Sequence, residues 1–146
     1  MAKRLFLGFA ATVIALLASA ASAQTDMMGE SQIRGALAGK SVDGVYPSGE
    51  AWSETYHADG RIDYHESNRK LTGRWTIEGL VFCTLYDGGH GGGCWRVRAT
   101  GENCFVFHLT SRANARRNVK SLVATQWGAM AWQPGKPSTC EGRPTV

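Results

Sequence analysis

The chemistry available to this chain lies in four histidines, one glutamate set among aromatic residues, a glycine-rich loop and four cysteines. Four histidines suggest a metal ion. A hairpin turning at Ala58-Asp59-Gly60 would place His57 opposite Arg61, with His65 four residues further along that strand. At about 3.3 Å per residue the two imidazoles stand more than about 10 Å apart, too far to share one ion with bonds near ~2 Å. His90 and His108 have no neighbour that local sequence identifies, so the expectation is satisfied or solvated histidines, with neither metal nor cofactor.

Asp87-Gly-Gly-His-Gly-Gly-Gly93 is the most unusual local sequence. It reads either as a loop at a sheet rim that offers His90 as acid, base or ligand, or as a permissive connector. No Gly-Lys-Ser/Thr follows it and no helix begins there, which excludes a phosphate loop. Ser67-Asn-Arg-Lys70 matches Ser-x-x-Lys formally, but it falls in an expected turn without the partner motifs of that enzyme class. Glu54 shares a strand face with Trp52 and Tyr56, and with Tyr64 on the next strand. If enclosed, a carboxylate there would shift in pKa and mark a cavity with a polar anchor; at an open rim it would simply be solvated. The candidate ligand-binding set is therefore Trp52, Glu54, Tyr56, Tyr64, Trp75 and Trp95, with His90 on a rim loop. No catalytic constellation is present.

Cys83, Cys94, Cys104 and Cys140 are an even set in a small domain, which reads as two disulfides with three possible connectivities. Cys83 and Cys94 flank the glycine-rich loop on neighbouring strands and are paired here, leaving Cys104 with Cys140 to pin the C-terminal tail. Zinc is the rival, but 10, 9 and 35 intervening residues contain no Cys-x-x-Cys knuckle.

Residues 1–23 read as a cleaved signal peptide: Lys3 and Arg4, an apolar stretch from Leu5 to Leu17, then Ala21-Ser22-Ala23. The apolar run is too short for a membrane span. Cleavage would leave residues 24–146 as a single β-domain without a stable span, located in the periplasm or secreted. Removing Lys3 and Arg4 lowers the formal charge from +4 to +2, too little to argue for a nucleic-acid partner.

The elements that must position these residues are short strands. Leu71–Ile77, Leu80–Tyr86, Cys94–Ala99 and Cys104–Leu109 are rich in β-branched and aromatic residues and separated by glycine-bearing turns, the signature of an antiparallel meander. Ser41–Pro47, Trp52–His57 and Arg61–Glu66 precede them. A three-residue loop with Gly60 in the left-handed conformation pairs Tyr56 with Ile62 and Glu54 with Tyr64. That register gathers Trp52, Tyr56, Ile62 and Tyr64 on one face and His57, Thr55, Asp63, His65 and Arg61 on the other. The next hairpin sets Leu71, Trp75 and Ile77 with Leu80, Phe82 and Tyr86. Each strand thus offers one aromatic-rich face, as a curved sheet or small barrel closing on itself requires. Ser31–Gly39 suggests a short helix with Ser31 as N-cap and Gly39 as stop, directing Ile33 and Leu37 at one end of the sheet. Arg112, Arg116, Arg117 and Lys120 form a basic stretch without apolar period. Leu122–Thr125 and Gly128–Trp132 are candidate final strands.

Tyr56-His-Ala-Asp-Gly60, Gly73-Arg-Trp75, Cys83 and Cys94-Trp-Arg-Val97 follow the order Y-x-x-D-G, G-x-W, C, C-W-x-V. In this the chain resembles small exported proteobacterial proteins of unknown function with a lipocalin-like antiparallel β-domain. The resemblance spans about Trp52 to Val97 and implies a meander fold and periplasmic residence, with no catalytic residue to transfer. The glycine-rich loop, Cys104 and Cys140 depart from it. The expectation is an all-β, lipocalin-like domain acting as a non-enzymatic binding or envelope-accessory protein, with a small apolar ligand or an envelope component as partner. An inhibitor or interaction module working through rim loops is the first alternative, and a small hydrolase the second.

Overall fold

Strands that alternate aromatic and polar residues bury one face only, and a sheet of such strands must find cover for that face. This chain supplies the cover by closing the sheet on itself. The structure, a computed structural model, describes residues 27–114 and 127–144. The leader expected over residues 1–23, the strand expected over 122–125 and the basic Arg116, Arg117 and Lys120 lie outside these. A helix α1 (Glu30–Leu37) leads into β1 (Lys40–Val45), β2 (Ala51–Tyr56), β3 (Arg61–Glu66), β4 (Arg69–Glu78), β5 (Val81–Tyr86), β6 (Gly92–Ala99), β7 (Phe105–Thr110) and β8 (Ala129–Trp132). Each strand pairs antiparallel with the next, and β8 returns to β1 to complete a closed barrel.

Turn chemistry sets the register. Gly60 has φ +90°, a conformation that glycine adopts without steric cost. The resulting loop pairs Tyr56 with Ile62 and Glu54 with Tyr64, as expected from the sequence. The β3–β4 connection is tighter than expected. Only Ser67 and Asn68 turn the chain, so β4 begins at Arg69, and Lys70 stands opposite His65 rather than in a turn. Leu80 lies in the β4–β5 turn beside Gly29 instead of on a strand. β6 likewise begins inside the glycine-rich segment, at Gly92.

The helix closes one end of the barrel. Ile33 and Leu37 are fully buried in the main apolar cluster with Tyr56, Ile62, Trp75 and Val97, as their four-residue spacing implies. The N-cap is Gly29 and not Ser31. The Gln32 side chain reaches back to accept the Gly29 N–H at 2.8 Å, which satisfies a donor at the helix start and leaves Ser31 inside the first turn. Arg34 pairs with Glu30 at 2.9 Å and lies 5.7 Å from the Trp75 ring centre.

A second, smaller apolar cluster lies outside the barrel wall, where Val45, Val106 and Met130 meet Cys104, Trp127 and Trp132. The C-terminal tail covers it and is held by two devices. Asn103 accepts the Gln133 N–H through Oδ1 at 2.8 Å and donates Nδ2 to the carbonyls of Gln133 at 3.1 Å and Pro137 at 3.2 Å. Cys104 is bonded to Cys140, and Cys83 to Cys94, with S–S distances of 2.04 and 2.08 Å. Both pairings are those read from the sequence.

The Cys104–Cys140 bridge closes a span of 36 residues, for which loop-closure entropy gives about 4 kcal/mol of stabilisation. The double substitution C104A/C140A is expected to lower the unfolding free energy by that order and to expose the tail to protease. Unchanged stability in chemical denaturation would show that the Asn103 contacts hold the tail alone.

Candidate functional site

An eight-stranded barrel is just wide enough inside either to be filled by side chains or to hold one small ligand. Here the inward-facing residues leave a cavity of about 290 Å³. It opens at the end opposite α1, where the β1–β2, β3–β4 and β5–β6 connections meet. Two indoles line it only because glycine stands where they lie. A Cβ on Gly44, opposite Trp52 across β1 and β2, would fall 2.3 Å from the Trp52 ring. Cβ atoms on Gly93 or Gly128 would each come within 2.7 Å of the Trp95 ring. Phe107 meets the edges of both indoles, with ring centres 6.4 Å away in each case. Phe82, 5.4 Å from the Tyr56 ring and 6.0 Å from Phe107, continues the apolar wall.

Glu54 sits inside this aromatic enclosure with 5 % of its surface exposed. The Tyr56 hydroxyl donates to Oε2 and the Tyr86 hydroxyl to Oε1. Two opposed effects act on its proton. Phenol donors favour the carboxylate, each by roughly 1.5–3 kcal/mol, while removal from water favours the neutral acid. Burial wins, and the Glu54 carboxyl is pushed up from 4.5 to about 7. That displacement represents about 3 kcal/mol, the amount by which desolvation exceeds both hydrogen bonds together. Burial and the Glu54 charge also raise the Tyr56 and Tyr86 hydroxyls above the usual phenol range. A second phenol pair, Tyr46 and Tyr64, is hydrogen-bonded at 3.1 Å.

Five of the residues singled out from sequence, Trp52, Glu54, Tyr56, Tyr64 and Trp95, converge on this cavity, and His90 borders it from the rim loop. Trp75 does not reach it. Its position along β4 puts it deeper, towards α1, where its ring packs on Tyr56 and Phe82 and its Nε1 donates to the His57 carbonyl at 2.9 Å. Sequence reasoning missed Tyr46, Thr84, Tyr86, Glu66 and Arg69, which also line the space. Tyr86 alternates in phase with Phe82 on β5, so its inward direction was visible; that it meets Glu54, 32 residues away, was not. The Trp52 Nε1 is buried without an acceptor among the described residues, unusual for an interior donor.

Elsewhere the histidines face outward. His57 Nε2 lies 2.7 Å from Asp63 Oδ2, and His108 stands opposite Arg96 on the outer side of β6 and β7. Among the described residues no three His, Cys, Asp or Glu side chains gather as metal ligands would, and no helix there is long and apolar enough to cross a membrane. The Asp87–Gly89 stretch of the glycine-rich loop forms a 3-10 turn, tied to β4 by Thr72 donating to Asp87 at 2.7 Å. No protein family, curated protein or solved structure matches this chain.

Because folding raises the Glu54 pKa from 4.5 to about 7, the folded state holds a proton that the unfolded chain releases. The stability that this provides is complete below pH 4.5 and is lost as pH rises through about 7. Denaturation free energy should therefore fall by roughly 2 kcal/mol between pH 5 and 8. E54Q should remove most of that slope; a variant with the wild-type slope would place the titration elsewhere.

Proposed function

We propose that this chain is a non-enzymatic exported binding protein that holds a small ligand inside its barrel. The observation that carries the reading is the aromatic cavity of about 290 Å³ with Glu54 enclosed at its wall. A barrel built only for stability would gain from filling that space, since empty apolar volume forfeits packing. It would also gain from replacing a carboxylate whose burial costs more than its two hydrogen bonds return. Apolar walls with few convergent polar groups are the usual make-up of a small-molecule site. The volume is at the small end of the range for such sites, which favours a compact ligand over a long acyl chain.

The two disulfides support a periplasmic or secreted setting, where they persist, and so does the Lys3–Ala23 leader pattern. The resemblance to small exported proteins with lipocalin-like domains agrees with both.

Native mass spectrometry of protein purified from the periplasm tests the whole reading. The expected spectrum has a chain starting near Gln24 and lacking four hydrogens for two disulfides. It also carries an additional small mass that leaves on denaturation. A bare chain that also stays unchanged in melting temperature across a library of small amines, acids and alcohols would overturn the ligand-binding role.

A further inference from the structure

We infer that the ligand is a small organic cation, an amine whose ammonium group sits against Glu54 while its carbon frame contacts Trp52, Trp95 and Phe107. The inference rests on the binding role proposed above and adds the charge and size of what is bound.

The sign of the charge follows from what surrounds the cavity. Glu54 is the ionisable group enclosed in the wall, and both of its observed partners, Tyr56 and Tyr86, are neutral phenols. A carboxylate has about four acceptor directions, so two remain for a donor entering the cavity. The other charged or titratable groups lining the space are Glu66, Arg69 and His90 at the mouth and the hydroxyls of Tyr46 and Tyr64 on the wall. Arg69 is drawn to Glu66, 3.9 Å away, and about half of its side chain is exposed. Glu66 and Arg69 offset one another at the entrance, so the charge that the cavity encloses is that of Glu54.

The walls favour the same sign. The faces of Trp and Tyr rings carry negative charge density, and each attracts an adjacent cation by roughly 0.5–2 kcal/mol when water is excluded. An anionic ligand would instead bring like charges together in a medium that screens them poorly. A neutral ligand would leave Glu54 to meet the cost of burial by taking up a proton. An ammonium ion removes that cost, because a buried charge is tolerated when an opposite charge shares its site. Size is bounded as well: at about 30 Å³ per water-sized unit, 290 Å³ admits about ten such units, which suits a single ring with a short side chain.

The test uses three compounds that share one ring and differ in the charge of the head group: 2-phenylethylamine, 2-phenylethanol and phenylacetate. Binding to the full mature protein is followed at pH 8 by calorimetry and by quenching of the fluorescence of Trp52 and Trp95. The amine is expected to bind at least about tenfold more tightly than the alcohol, with phenylacetate weakest. In E54Q the amine should fall to the affinity of the alcohol, whose own binding is little changed. An alcohol or acid that binds the wild-type protein as tightly as the amine would overturn the cation assignment and leave the ligand cavity standing. So would an E54Q variant that keeps the preference for the amine. If none of the three binds, the cation assignment falls, and the wider library of amines, acids and alcohols decides whether the cavity reading falls with it. Should E54Q fail to fold, the comparison of the three compounds on the wild-type protein still decides.

Discussion

Without a partner for the free edge of β1, the inner face of this sheet would be a continuous exposed aromatic surface and its edge a template for association. Closure removes both problems, and it rests on a small contact: β8 pairs with β1 at Asp43, Gly44 and Val45. Four residues of β8 are a short strand to carry a seam. The outer cluster of Val45, Val106 and Met130, the Asn103 hydrogen bonds and the Cys104–Cys140 bridge all converge just outside it. The tail thus acts as a brace on the seam. Its contacts matter to the interior even though none of them reaches the cavity.

Closure also creates the electrostatic character of the site. On an open sheet Glu54 would be wet and unremarkable in its chemistry. Inside a closed wall of Trp52, Tyr56, Phe82 and Phe107 the same carboxyl loses its hydration and titrates near 7. Glycines beside the indoles are part of that arrangement. Gly44, Gly93 and Gly128 take no room, so two indoles fit along the wall while the centre remains open. Small residues opposite large ones would ordinarily fill a barrel evenly. Here aromatic residues stand at both levels, Tyr56 and Trp75 towards α1 and Trp52, Tyr64, Tyr86 and Trp95 round the open space.

Much of the scaffold was legible residue by residue. Gly60 in a three-residue turn decided the β2–β3 register, and with it the face shared by Trp52, Glu54, Tyr56 and Tyr64. The Cys83–Cys94 bridge followed from two strands flanking one loop. Ile33 and Leu37 indicated a helix with one buried side. The helix start was misplaced because Gln32, a side chain that folds back on Gly29, supplied the cap that Ser31 was expected to provide. The start of β4 was misplaced because Ser67 accepts φ +50°, which permits a turn shorter than its composition suggests.

By itself, the sequence determined the all-β class, the alternation of faces within each strand, the disulfide pairs and the presence of a carboxyl among aromatic residues. These are local properties, set by a period of two along the chain and by turn chemistry between neighbours. Tertiary structure alone decided that Tyr86 meets Glu54 across the lumen, that Trp75 lies beneath the cavity instead of in its wall, and that a cavity exists. The tilt and stagger with which eight strands close determine which inward residues share a level of the barrel. That geometry belongs to the ring of strands as a whole, and no single strand encodes it.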